Sequence, residues 1–187
     1  CVGRNYAEHA KEMGFSGREV PFFFIMSSDA VLVVKDGQTG EMPYPTLTKD
    51  LHHEIELVVA LGKGGKNIKA ADAVNHIFGY AVGIDMTRRD LQAEAKKQGR
   101  PWDIAKGFDF SAPITPIVPA AQAGDINNAA IWLDVNGAKR QSSQVTQLIW
   151  SIAETIEALS QAWELQAGDL IFSGTPEGVA AVSKGDV

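Results

Sequence analysis

Glu54 and Glu56 stand two residues apart in a segment, Glu54 to Leu61, where charged and aliphatic side chains first alternate. Read as a strand, it turns Ile55, Leu57, Val59 and Leu61 to one face and both glutamates to the other. A glutamate pair on the polar face of a half-buried strand is ordinarily just solvated. Asp85 adds weight to a different reading. It follows a second strand, Ile77 to Ile84, apolar enough to be buried, where a charge is costly unless it is paired or coordinated. Three carboxylates without a thiolate suit a hard cation, Mg²⁺ or Mn²⁺ rather than Zn²⁺.

Other side chains would complement such a centre. His9 and Glu12 lie three apart on a short polar helix, Asn5 to Met13, closed by Gly14. Such pairs are commonly exposed ion pairs; the alternative is a dyad whose carboxylate orients the imidazole as a general base toward water. Lys106 follows Pro101-Trp102 in an apolar-flanked stretch. A snorkelling surface lysine is the ordinary case, but buried beside the carboxylates it would stabilise negative charge on oxygen. Gly174-Thr175-Pro176 reads as a turn whose hydroxyl and N–H groups could hold a carboxylate.

The elements that must position these groups are mostly short. Pro21 to Val34 is β-prone, with three aromatics at Phe22, Phe23 and Phe24, and Ala70 to Val74 suggests a short helix. Thr87 is expected to cap a helix over Arg88 to Gln98, closed by Gly99. Ile131 to Val135, Asn136-Gly137 and Lys139 to Ser142 predict a type I′ hairpin. Ile149, Ile152, Ile156, Leu159 and Trp163 recur at helical spacing before Gly168, and Asp169 to Ser173 is a further strand. Many short strands with few helices imply a mixed, β-rich α/β fold. Regular strand–helix alternation is missing, which excludes a TIM barrel or a Rossmann fold.

The 187 residues are expected to form one domain, with no repeat or linker to divide them. With 45% hydrophobic and 21% charged residues the chain can build an ordinary core, so wholesale disorder is excluded. A formal charge of −6 and no basic cluster argue against nucleic acid as a partner. The apolar stretch Phe110 to Gly124 is broken by Pro113, Pro116 and Pro119, which argues against a membrane span. One cysteine, Cys1, rules out an internal disulfide and suggests a reducing, cytoplasmic setting. The start at Cys1 and the stop at Gly185-Asp186-Val187 suggest a trimmed piece of a longer protein.

Some familiar motifs are missing. Gly62-Lys63-Gly64-Gly65 lacks the later residues of a dinucleotide or phosphate loop and reads as a turn. His52-His53-Glu54-Ile55-Glu56 lacks the second histidine of a zinc-protease helix.

Taken together, several segments resemble the fumarylacetoacetate hydrolase family, in particular its short single-domain members. They are Cys1-Val2-Gly3-Arg4-Asn5-Tyr6 with His9 and Glu12, His53-Glu54-Ile55-Glu56-Leu57, Gly79-Tyr80, and Asp85-Met86-Thr87 with Arg89-Asp90 and Gln92. Pro101-Trp102 with Ala105-Lys106 and Gly174-Thr175-Pro176 with Gly178-Val179 complete the series in family order. The resemblance implies a β-sandwich roll, a homodimer, and Mg²⁺ or Mn²⁺ held at Glu54, Glu56 and Asp85. It implies that His9 and Glu12, on a lid, activate water. That water attacks a carbonyl of a small 1,3-dicarbonyl acid, and C–C cleavage releases an enolate beside Lys106. Arg89, Gln92, Gly174 and Thr175 would face the substrate.

Within the family, Phe22-Phe23-Phe24, Pro45-Thr46-Leu47-Thr48 and Ile84-Asp85-Met86-Thr87-Arg88-Arg89-Asp90 resemble the branch that splits fumarylpyruvate into fumarate and pyruvate in gentisate breakdown. Relatives that act as general acylpyruvate hydrolases, oxaloacetate decarboxylases or isomerases of unsaturated dicarboxylic acids share the same metal–enolate chemistry, and a non-catalytic metal-stabilised binder is a further alternative. One departure bears on substrate preference: Met26-Ser27 stands where family members commonly carry Lys-Pro.

Overall fold

The computed structural model describes residues 1–12, 14 and 18–187, with Glu12 described through its backbone alone. In chain order the first elements are β1 (Val2–Gly3), α1 (Ala7–Glu12), β2 (Phe22–Phe23) and β3 (Val31–Val33). β4 (Leu51–His53), β5 (Ile55–Leu61), β6 (Ile77–Ile84) and β7 (Thr87–Arg88) follow, then α2 (Arg89–Gln98) and α3 (Asp103–Lys106). The second half holds β8 (Ala112–Ile114), β9 (Val118–Pro119), β10 (Ala130–Val135), β11 (Ala138–Gln144), α4 (Ile152–Ala162), β12 (Leu170–Phe172) and β13 (Ala180–Val182).

The main sheet runs β12–β5–β6–β8–β3, with β9 also on β6; β3 and β8 pair in parallel and its other pairs are antiparallel. A smaller antiparallel sheet runs β13–β4–β7. Three of the chain's passages between the two sheets are short. β4 continues into β5 through Glu54, β6 continues into β7 through Asp85 and Met86, and β12 reaches β13 through residues 173–179. These crossings curl the sheets into the expected mixed, strand-rich α/β roll.

β5 is the keystone, because aliphatic side chains on both of its faces find a core. Ile55, Leu57, Val59 and Leu61 pack with Ile131, Leu133 and Val135 of β10 and Ile152, Ile156 and Leu159 of α4. Val58 packs on the opposite side with Ala81, Ala112, Ile114 and Phe172. All seven residues of β5 are buried, so the face carrying Glu56 is not the solvated one that the alternation suggests.

Local signals hold where the chemistry is short-range. Asn136 (φ 52°) and Gly137 (φ 77°) form the two left-handed positions of the β10–β11 hairpin. Gly99 closes α2 at φ 64°. Other expectations need correction. Thr87 does not cap α2: it lies in β7, its hydroxyl donates to the Asp85 carbonyl, and Arg88 takes the cap position. α4 begins later than the apolar repeat suggests, because Ser151 and Glu154 form a capping box that leaves Ile149 outside; Trp163 follows in extended conformation. Ala70–His76 is a 3₁₀ helix. In the first helix, Met13 lies outside the described residues.

Candidate active site

Each of these three short crossings delivers part of one cavity. At the first two, Glu54 and Asp85 face each other across the strand pair, and the Asp85 N–H donates to the Glu54 carbonyl at 2.8 Å. Glu56, one residue into β5, sits opposite Gly83 of β6. The three carboxylates each offer an oxygen within 4.8 Å of the others, and all three residues are buried, Asp85 to 1% exposure. At the third crossing, the Gly174 N–H donates to Glu56 Oε2 at 2.7 Å. Gly174 holds this position at φ 104°, and a Cβ there would stand 2.6 Å from the Asn5 Cβ. Gly174→Ala is therefore expected to cost about 1–3 kcal/mol of stability through the left-handed backbone alone. It should also displace the donor from Glu56; a thermal melt with a parallel activity assay checks both effects.

Lys106 ends α3 and is turned fully inward, at 2% exposure. Its ammonium donates to Glu54 Oε2 and Asp85 Oδ2 at 2.7 Å each. Arg89, at the start of α2, donates to the other Glu54 oxygen and to Gln92 Oε1, the latter at 2.6 Å. Lys106 is thus no snorkelling surface residue; it is the cation inside the carboxylate cluster.

The protonation pattern follows from this arrangement. Burial works against the Glu54 charge, but Lys106 and Arg89 outweigh it and hold the group down to about 2. Burial pushes Asp85 up to about 6 in spite of Lys106, with Glu54 adding to the rise. Glu56 lies well above the usual carboxylate range because of burial and then of Asp85 and Glu54. Burial opposes the Lys106 ammonium, but Asp85 and Glu54 more than offset it, so this lysine stays charged.

The donor set fits a divalent cation. Three buried carboxylates face two cationic side chains, and burial and mutual repulsion hold Glu56 and Asp85 back from ionising unless a further cation joins them. Asp85 Oδ1 is buried with no protein hydrogen bond, and only oxygens converge. That combination suits a hard ion.

The same cavity is lined by His9, Arg89, Gln92 and Thr175, so the residues expected to act together do share a wall. Glu12 closes α1; its side chain, and with it the His9–Glu12 dyad, lies outside the described residues. Sequence reading missed the aromatic wall. Trp102 meets Phe22 edge-on at 5.6 Å and lies 5.8 Å from Phe24, while the Lys106 ammonium lies 5.4 Å over the Phe24 ring. The aromatic run at Phe22–Phe24 was the available signal. Met26 packs on the second core instead. Sequence reading also assigned no role to Asn5, whose amide donates to the Trp150 and Ser173 carbonyls at 2.9 and 2.8 Å and ties the base of α1 to the Gly174 loop. Nor did it find Gln141.

Converging carboxylates at the crossings of a curled, strand-rich α/β roll define the class of protein: a fold whose buried oxygen cluster suits a divalent cation. Residues 1–187 match the family described as fumarylacetoacetate (FAA) hydrolase C-terminal, and the chain belongs to that family. Among solved structures, a fumarylpyruvate hydrolase from Pseudomonas aeruginosa in complex with Mn²⁺ and pyruvate is 57% identical with a TM-score of 0.97, covering 100% of this chain and 80% of that one. The mitochondrial oxaloacetate decarboxylase of Dictyostelium discoideum is 39% identical over 187 residues, 100% of this chain and 84% of the relative. The mitochondrial oxaloacetate tautomerase FAHD1 of Bos taurus is 40% identical over 186 residues, 100% of this chain and 82% of the relative. Among the described residues, no helix is long and apolar enough to cross a membrane.

Proposed function

We propose that this chain hydrolyses the C–C bond of an acylpyruvate, with fumarylpyruvate as the preferred substrate and fumarate and pyruvate as products. The observation that carries the proposal is the buried Lys106 ammonium, 2.7 Å from both Glu54 and Asp85 in a cavity that His9 also lines. Breaking this bond leaves its electron pair on the pyruvate carbon, and departure is feasible only if the charge is delocalised onto oxygen as an enolate.

A divalent cation held by Glu54, Glu56 and Asp85 would supply Lewis-acid charge at the substrate's carbonyl oxygens. Lys106 would donate a hydrogen bond to the oxygen on which enolate charge develops. His9, oriented by Glu12 three residues on in α1, would take a proton from water. The remaining hydroxide adds to the acyl carbonyl, the C–C bond breaks, and a proton delivered to the enolate carbon completes pyruvate. Arg89, Gln92, Thr175 and the Gly174 loop would hold the substrate's carboxylate end. Phe22, Phe24 and Trp102 would limit water to the molecule consumed.

Support for fumarylpyruvate is the 57% identity to the Pseudomonas aeruginosa enzyme. The oxaloacetate-converting relatives, at 39% and 40%, favour a second reading in which the same groups stabilise pyruvate enolate after decarboxylation or act in tautomerisation. The test is pyruvate release from fumarylpyruvate, acetylpyruvate and oxaloacetate, with chelator and after Mn²⁺ or Mg²⁺ is restored. We expect fumarylpyruvate to give the highest kcat/KM, chelator to bring all rates to background, and either metal to restore them. A clear preference for oxaloacetate would overturn the substrate assignment, and full activity in chelator would overturn the metal's role.

A further inference from the structure

β11 is polar from its second residue onward, and six of its seven residues are exposed or partly so. Gln141 is the exception: it points inward, 1% exposed, where the facing strand β10 contributes Ile131, Leu133 and Val135 to the core. An amide in such a place is costly unless all its hydrogen-bonding groups are met. Here they are. Gln141 Nε2 donates to the Pro176 carbonyl at 2.9 Å and to Thr175 Oγ1 at 2.8 Å. Its Oε1 accepts the Ile55 N–H at 3.0 Å and meets His53 Nδ1 at 2.9 Å.

These partners leave the amide no freedom to flip. The Pro176 carbonyl can only accept and the Ile55 N–H can only donate, so nitrogen must face the first and oxygen the second. Two consequences follow. His53 Nδ1 must carry a hydrogen, and Thr175 Oγ1 is held as an acceptor from Gln141. The hydrogen of the Thr175 hydroxyl is then left for the cavity that Thr175 lines. The loop bearing Thr175 is pressed onto β11 at this very level, since a Cβ on Gly178 (φ 89°) would stand 2.2 Å from the Arg140 carbonyl oxygen.

We propose that Gln141 is a positioning residue, whose amide fixes the Thr175 hydroxyl as a hydrogen-bond donor toward the carboxylate of a keto-acid ligand. The assignment rests on the acylpyruvate reading for its ligand class. Gln141→Glu tests the effect: one carboxylate oxygen keeps the His53 and Ile55 contacts, while the other gives up the bond to the Pro176 carbonyl, turns the Thr175 partner from donor to acceptor and draws the hydroxyl hydrogen away.

The experiment titrates pyruvate by calorimetry into protein with saturating Mn²⁺, alongside KM and kcat for fumarylpyruvate. Q141E and T175V should each weaken pyruvate binding and raise KM about 10-fold or more, in keeping with loss of a hydrogen bond to a charged group, while Mn²⁺ affinity stays within about 3-fold of wild type. The double variant should be no worse than T175V alone. If Q141E does not fold, Q141M, of similar length and without a donor, takes its place in the same cycle. Losses that multiply in the double variant, or wild-type pyruvate affinity in Q141E, would overturn the role. Pyruvate bound without cleavage of any acylpyruvate sinks the hydrolase reading alone, and the affinities of the variants still decide for or against Gln141. Wild-type protein that fails to bind pyruvate overturns both.

Discussion

Lys106→Met is expected to lower kcat for fumarylpyruvate by about 10²–10³-fold, the loss seen when one donor to a developing oxyanion is removed. The side chain is replaced by one of similar length without charge, so packing against Phe24 is largely kept. The electrostatics are not. Glu54 and Asp85 both lose a partner at 2.7 Å, and Arg89 then faces the buried carboxylates as the one remaining cation of the pair. Breaking one side of a buried charge pair costs about 3–5 kcal/mol, part of which the carboxylates recover by taking up protons. The metal-free variant should therefore melt well below wild type. Mn²⁺ should raise its melting temperature by more than it raises that of the wild type, because the cation replaces the missing positive charge. It should not restore turnover, since a metal cation held by the carboxylates has no hydrogen to donate to the oxygen on which enolate charge would develop. A variant that keeps a tenth or more of wild-type kcat would remove Lys106 from the chemistry.

The contrast between Lys106 and Gln141 shows what could be read from sequence and what could not. Glu54, Glu56 and Asp85 announce themselves because alternation along one strand and the apolar run of the next place three acids near two strand ends. Their burial is another matter. It depends on β12 pairing with β5 across more than a hundred residues and on aromatic cover from Phe22, Phe24 and Trp102, none of which a local pattern encodes. The hairpin at Asn136-Gly137 was legible because turn chemistry is local. Gln141, four residues after that turn, was not: its partners lie 34, 35, 86 and 88 residues away, and the strand around it reads as solvent-facing. Thr87 failed as a cap for a related reason. A pairing with His52 in the small sheet claimed its backbone before the helix could. Local propensity places elements here, and long-range pairing decides which polar groups are turned inward.

Asp85→Asn should separate stability from function. The folded protein raises the Asp85 pKa to about 6 from an ordinary value of 3.8, first through burial. A raised acid binds its proton more tightly when folded, so its contribution to stability is full below about pH 4 and is lost as pH climbs through about 6. At pH 7 the ionised side chain is thus a net burden on the metal-free fold, on the order of a few kcal/mol. Asparagine keeps the shape and an oxygen for the Lys106 ammonium but carries no charge. Metal-free D85N is accordingly expected to melt at or above the wild-type temperature at pH 7 to 8, with the difference shrinking toward pH 4. The same substitution removes one of three anionic oxygens from the cluster, so the melting temperature should no longer respond to Mn²⁺ and metal-dependent turnover should fall to background. Melts at several pH values, with and without Mn²⁺, decide the matter. A D85N protein that still gains stability from Mn²⁺ to the wild-type extent would mean that the cation binds elsewhere, whereas one that melts far lower in every condition would mean that Asp85 serves the fold through Lys106 and is not held at a cost for the metal.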